Sequence, residues 1–573
     1  MRFRSFPLAG WALALAACRA APAPPVPLAG IAADWPHTGR ARVTEARSAM
    51  VVSGHPLASA IGRDVLHRGG TAVDAAVAVG FALAVVHPEA GNLGGGGFMV
   101  IRTADGAVRA LDYRETAPGR ATRDMYLDAA GEPTERSLTG HLAAGVPGSV
   151  AGLTEAHRAL GRLPLAELIE PAMGLARDGF AVDEYRSRSI ASDSARLSRY
   201  PASRASFLPD GHPPEPGFIL RQPDLARTLA AIRDHGAAGF YEGPVADLLV
   251  AEMERGGGLI DREDLAAYRA LWRDPIVIRY RGHTIYSMPP ASSGGITMGQ
   301  ILNVIEGYDP LPPFGSPALL HREAEAMRRA FTDRNTYLGD PAFVRNPTER
   351  LLSKAYAAEV RAAIGNRASP TPRFDPGPAR GASTTHYSVV DAEGNAVSCT
   401  TTLNESYGSA VTVTGAGFLL NDEMDDFATA PGKPNLYGLV QGEANAIAPG
   451  KRMLSAMTPT LVLDSAGGLR MITGTPGGPR IITTVYHVIS NVIDHRMPLP
   501  DAVAAPRMHH QALPDNILVE AGGFTEGALD SLRALGHAIA GRSPWGDVEA
   551  IIRTPEGWQG VSDPRRGGGG AGY

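Results

Sequence analysis

Gly381-Ala382-Ser383-Thr384-Thr385-His386-Tyr387-Ser388-Val389-Val390-Asp391 is the stretch whose reading decides this chain. A segment rich in proline, glycine and arginine, 365–383, runs into it, and a strongly alternating pattern follows. The contrast predicts a loop open to cleavage and a strand that begins with a hydroxyl residue. A threonine at a newly made N-terminus carries a nucleophile and a base in one residue. Its hydroxyl attacks, and its α-amine accepts the proton. Such an amine titrates near ~7.7–8.0, so it works as a base at neutral pH without burial.

Residues 384–390 read as one strand and 396–403 as its partner, joined by the turn Asp391-Ala392-Glu393-Gly394-Asn395. Pairing Asp391 with Asn395 places Thr384 opposite Thr402, with Asn404 on the same face two residues further on. A bulge at Gly394 would shift every pair by one. The alternation alone also fits a surface strand rich in threonine. Taken alone, Gly477-Gly478 after Pro476 reads as a plain turn, Asp425-Asp426 as a solvated acidic turn, and the loop around Tyr437 as surface.

Several motifs, in order, resemble those of the γ-glutamyltranspeptidases. They include Thr384-Thr-His-Tyr-Ser-Val-Val-Asp391 with Thr402-Leu-Asn404, and Leu419-Leu-Asn421-Asp422-Glu423-Met-Asp425-Asp426-Phe427. Pro449-Gly-Lys-Arg-Met-Leu-Ser455 and Gly474-Thr-Pro-Gly477-Gly478-Pro-Arg480 continue the match. The N-terminal half contributes Arg68-Gly-Gly-Thr-Ala-Val-Asp74, Gly94 to Met99, Asp112-Tyr-Arg114-Glu-Thr-Ala-Pro118 and Gly145-Val-Pro-Gly148. The resemblance runs from about Ala49 to Asp563-Pro-Arg-Arg566.

It implies an α+β fold, the four-layer αββα sandwich of the N-terminal nucleophile hydrolases. It further implies self-cleavage between Ser383 and Thr384 into a large chain (46–383) and a small chain (384–573). Thr384 would attack first the Ser383 carbonyl and later the γ-carbonyl of a substrate. Thr402 would bond and tune the nucleophile, and the backbone N–H groups of Gly477 and Gly478 would hold the oxyanion. Arg114 and Ser455 would hold the α-carboxylate of a γ-glutamyl group, and Asn404, Glu423 and Asp426 its α-ammonium. Tyr437, in Pro431-Gly-Lys-Pro-Asn-Leu-Tyr437-Gly, would close a lid onto Asn404. One departure stands out: where the family usually has two adjacent serines, this chain has Ser455-Ala456. Losing a hydroxyl removes a hydrogen bond worth roughly 0.5–1.5 kcal/mol, more to a charge. The motif group also includes acylases acting on glutaryl-cephalosporin side chains, which lack the α-ammonium. The retained Arg114, Glu423 and Asp426 argue for γ-glutamyl donors, with amino acids, peptides or water as acceptors.

Composition sets wider bounds. The 573 residues are 44% hydrophobic and 20% charged with a net charge of −5, an ordinary globular profile with no basic run for nucleic acid. Residues 1–17 pair Arg2 and Arg4 with an apolar stretch, which reads as a secretion signal. Leu15-Ala16-Ala17-Cys18 resembles a lipoprotein cleavage box, which would lipidate Cys18 and anchor the chain to a membrane through a flexible tether, 18–45. An ordinary cut near Ala20 or Ala21 is the alternative. The remaining Cys399 sits mid-strand and reads as a small core residue. No metal or organic cofactor is expected: there is no HExxH, no paired CxxC and no phosphate loop, and His509-His510 is adjacent rather than at ligand spacing. Residues 57–67, 75–86, 153–160 and 225–235 read as helices. So does 165–177, restarting at Pro171. Thr71 with Asp74 reads as a capping box, and 98–103 with 108–113 as a hairpin.

Overall fold

The predicted hairpin lies in the middle of a seven-stranded antiparallel sheet. The computed structural model describes residues 30–370 and 383–573. The secretion signal, Cys18, the first part of the tether and 371–382 lie outside them. The central sheet has the order 569–572, 50–53, 383–390, 396–404, 96–102, 108–113, 271–273. A second seven-stranded sheet has the order 42–46, 557–562, 549–554, 469–473, 460–463, 283–287, 276–280. In both, strands from before and after residue 384 interleave. Strand 383–390 itself is hydrogen-bonded to 50–53 on one side and 396–404 on the other.

Strand alternation divides the central sheet between two cores. Val51, Met99, Ile101, Leu111, Val389 and Val397 point to one, where they meet the helices at 56–67, 72–86 and 149–160. Met50, Val52, Phe98, Val100 and Val390 point to the other, against the second sheet. Helices 294–306 and 480–493 add their apolar residues to this second core. The result is helix, sheet, sheet, helix, as the resemblance implies. Helix 72–86 is buried along its whole length, and Thr71 and Asp74 cap it reciprocally. The hairpin 96–102 with 108–113 forms as expected.

Two local readings are corrected. Helix 165–178 runs through Pro171 without restarting. Proline costs one backbone bond there, but Leu168, Ile169, Ala172, Met173 and Ala176 bury one face and hold the helix together. The hairpin register is as read, Thr384 opposite Thr402 and Val390 opposite Ala396, with no bulge at Gly394. The irregularity falls at the other end, between Ser383 and Thr384, where Ser383 pairs with Asn404. Asn404 has left the strand conformation, with φ 81°, so it reaches the site by a backbone turn and not by simple alternation.

Candidate active site

The hydroxyl of Thr384 donates to Thr402 Oγ1 at 3.2 Å. Thr402 Oγ1 also accepts the Asn404 backbone N–H at 2.8 Å. The Thr384 hydroxyl proton is thus directed at Thr402, and among the described residues no donor is bonded to the Thr384 oxygen itself. Both threonines are buried. Tyr437 closes over them: its hydroxyl lies 2.5 Å from Asn404 Oδ1 and donates to it. Burial among carboxylates holds the Tyr437 phenol well above its ordinary range, so it stays a donor.

Gly477 and Gly478 precede helix 480–493. Their φ values are 141° and 58°, left-handed geometry that favours glycine. Space is not the constraint at Gly477, where an added Cβ would meet nothing nearer than 3.7 Å. The glycine is required by conformation, not by close approach. Among the described residues neither amide has a protein acceptor, so both N–H groups are available at the positive end of a helix.

The charged side of the site is built on Arg114. Its Nη1 lies 2.6 Å from Glu423 and 3.5 Å from Glu115, Nη2 binds Asp426, and Nε donates to Met453 O at 3.2 Å. Burial pushes Glu423 up, only partly offset by Arg114, and pushes Glu115 up to about 7. Thr384, Thr402, Asn404, Tyr437 and Ser455 line one pocket with Arg114, Glu423 and Asp426, which has a free volume of about 20 Å³. That is room for about one water molecule. All the residues expected from the sequence converge here except the scissile Ser383, placed only by its backbone pairing, and Gly477, which adjoins the pocket through Gly478. Cys18 lies outside the described residues.

Three further residues were not anticipated. Glu115 adjoins Arg114 in the same motif, and that adjacency was its signal. Arg334 lines the pocket from helix 317–337, and no motif pointed to it. His386 lies two residues after Thr384 on strand 383–390. Ser388 Oγ donates to Glu549 O at 2.7 Å, so it accepts from His386 Nε2 at 3.2 Å. His386 Nδ1 is therefore the bare nitrogen, accepting from Thr400 Oγ1 at 2.9 Å. The ring packs so tightly on Gly474 that a Cβ there would come within 2.3 Å of it. This ties strand 383–390 to the segment that leads into the Gly477-Gly478 turn. Burial pushes His386 down to about 3. The unfolded chain therefore takes up a proton at 386 as pH falls below ~6.5, and the fold does not. Relative to His386→Gln, the stability of the natural protein should fall by ~1.4 kcal/mol per pH unit from pH 6.5 towards 4. Thermal or urea unfolding of both proteins measures this, and a difference independent of pH would mean that the imidazole is charged in the fold.

Elsewhere, Cys399 is buried beside the Tyr113 hydroxyl at 3.0 Å, and burial pushes its thiol up to about 12, which suits packing and not attack. Among the described residues, His321, Glu325 and His537 bring ligand atoms within 4.8 Å of one another. The imidazoles bond each other at 2.8 Å, and Arg328 faces the carboxylate at 3.3 Å.

The profile of the family described as Gamma-glutamyltranspeptidase matches residues 58–573. The glutathione hydrolase proenzyme of Escherichia coli is 47% identical over 557 residues, covering 96% of this chain and 95% of that protein. The cephalosporin acylase of Bacillus halodurans superposes with a TM-score of 0.83 at 28% identity, covering 94% of this chain and 98% of that one. The γ-glutamyltranspeptidase of Helicobacter pylori superposes with a TM-score of 0.55 at 46% identity, covering 56% of this chain and 93% of that one.

Proposed function

Because the chain belongs to the γ-glutamyltranspeptidase family, we propose that Thr384 cuts its own chain and then cleaves γ-glutamyl amides such as glutathione. The protein is a self-processing γ-glutamyl hydrolase and transferase, whose precursor becomes a heterodimer of two subunits. The observation that carries the residue assignment is the convergence, in one buried pocket, of the Thr384–Thr402 pair, the glycine turn and the Arg114 carboxylate cluster. In maturation, the Thr384 hydroxyl attacks the Ser383 carbonyl. The acyl group passes from nitrogen to oxygen, and water hydrolyses the resulting ester. This frees the Thr384 α-amine and divides the chain into 46–383 and 384–573.

In turnover that amine takes the proton of the Thr384 hydroxyl as its oxygen bonds the γ-carbonyl carbon of the donor. The oxyanion lies against the N–H groups of Gly477 and Gly478. The proton then passes to the leaving amine, and an ester to Thr384 remains. Water or an incoming amine attacks this ester, its proton passes through the α-amine to the departing Thr384 Oγ1, and the threonine hydroxyl is restored. Glu423, Asp426 and Asn404 accept from the donor ammonium. The Tyr437 lid excludes water while the ester exists.

The second reading is a glutaryl or cephalosporin acylase, favoured by Ala456 and by the likeness to the Bacillus halodurans structure. Matched γ-glutamyl and glutaryl anilides separate the two. With the carboxylates around Arg114 retained, kcat/KM for the γ-glutamyl anilide should be higher by roughly 10-fold or more, the worth of one charged hydrogen bond. The reverse order assigns the acylase. A third reading, a binding lipoprotein that never processes, is excluded if the purified protein gives two fragments on a denaturing gel. Export, with lipidation at Cys18 anchoring the chain to a membrane, completes the proposal. It rests on the N-terminal sequence, since among the described residues no helix is long and apolar enough to cross a membrane. Intact mass and N-terminal sequencing test it.

A further inference from the structure

We propose that Arg334 is a second carboxylate-binding cation of the donor pocket, carrying the charge recognition that a hydroxyl at position 456 would otherwise share. The inference rests on the γ-glutamyl reading of that pocket and names a determinant that reading does not include.

The two arginines of the pocket differ in what surrounds them. All three guanidinium nitrogens of Arg114 already have acceptors, and three carboxylates face it. A donor carboxylate arriving there must compete with Glu423 and Asp426. Arg334 is equally buried, at 1% exposure, yet its partners are all neutral. Nε donates to Ser293 Oγ at 2.9 Å, and Nη1 donates to Asn335 Oδ1 at 2.9 Å and to Gln441 Oε1 at 3.3 Å. Among the described residues no carboxylate reaches ion-pair distance of it, and its Nη2 has no acceptor. A buried guanidinium without a counter-charge is costly. Burial pushes this one down to about 10, with Asp426 only partly offsetting it and Arg114 adding to the fall. A carboxylate ligand supplies the missing charge.

The position is suited to this. Ser293, which Arg334 grips, donates to Ser455 O through both its hydroxyl at 2.6 Å and its amide at 2.8 Å. Arg334 is thereby fixed behind the Ser455-Ala456 turn, where the family resemblance places the donor carboxylate. The Ser455 hydroxyl oxygen accepts the Met457 amide at 3.1 Å, and Ala456 has no polar side-chain atom to add. Gln441, the third partner, also donates to Asp426 O at 3.1 Å. Arg334 is therefore tied to the turn through Ser293 and to the loop through Gln441.

The test compares L-γ-glutamyl-p-nitroanilide with its α-carboxamide analogue, which keeps the ammonium and loses the carboxylate charge. The natural enzyme should prefer the carboxylate by roughly tenfold or more. If it shows no preference, the γ-glutamyl reading of the pocket itself fails. If it does, Arg334→Gln should raise KM for the carboxylate donor roughly tenfold, leave the carboxamide donor within about twofold, and so erase the preference. Arg334→Lys should keep only part of it, because an ammonium restores a charge but not the fork by which Nε and Nη1 hold Ser293, Asn335 and Gln441. Equal loss on both donors, loss in Lys as complete as in Gln, or a preference that survives in Gln would each overturn the proposal. Should the Gln variant fail to mature, Ala456→Ser in the natural background decides. With Arg334 already holding the charge, the added hydroxyl should lower KM less than about threefold. A tightening of tenfold or more overturns the proposal.

Discussion

Thr384→Ala yields a single full-length polypeptide on a denaturing gel and no measurable turnover of any γ-glutamyl amide. Both losses come from one atom. Without Oγ1 there is no attack on the Ser383 carbonyl, so the chain stays whole. Without the cut there is no α-amine to serve as base, and without Oγ1 there is no ester intermediate. kcat/KM should drop by roughly 10³-fold or more, the scale seen when a nucleophile is removed from an otherwise intact site. The fold should survive, because the only Thr384 side-chain bond described is the one to Thr402 at 3.2 Å. Two fragments from the variant, divided at the same bond, would mean that another group performs the cleavage. Residual turnover at a tenth of the natural rate would mean that Thr384 is not the attacking residue.

Gly477→Ala should separate chemistry from binding. At φ 141° an alanine is strained by roughly 1–3 kcal/mol, and the backbone relieves that strain by rotating the peptide. No neighbour forces the change, since an added Cβ has free space around it. What moves is the aim of the N–H groups of 477 and 478. The expected signature is a fall of kcat by roughly 10²–10³ with KM nearly unchanged, because Arg114, Glu423 and Asp426 lie on other segments. Steady-state kinetics on the self-cleaved variant measures it. An equal rise in KM with kcat preserved would show that the turn binds donor and does not stabilise an oxyanion.

The parts of the site that could be read in the sequence are those with a local cause. The register of 384–390 against 396–403 follows from a short turn with Gly394 and from alternation, and the predicted Thr384–Thr402 pairing is the one found. The capping box at Thr71 and Asp74 is equally local. Asn404 was placed on the right face for an incomplete reason, because its left-handed backbone depends on the irregularity at Ser383. The glycine pair was found from its motif, and the positive φ angles that call for glycine there are a property of the fold. Arg334 was invisible. Helix 317–337 is charged along its length, and nothing in its pattern says which arginine is enclosed. Enclosure comes from Ser293, Gln441 and the Ser455 turn, distant segments that meet only in three dimensions. Pro171 shows the converse: a strong local signal for a break was overridden by burial of the helix face.

The interleaving of strands on either side of residue 384 has a consequence for durability. While the chain is whole, every ladder forms within one molecule. Once it is divided, the same ladders join two polypeptides, and neither piece retains a complete sheet. The pieces stay together because parting them means tearing strand 384–390 from 50–53 and strand 396–404 from 96–102. If heat does part them, they must find each other again by diffusion, without the millimolar local concentration that a covalent link provides. Maturation is thus a ratchet: the enzyme assembles once as a unimolecular object, and afterwards its working lifetime is set by how slowly it comes apart.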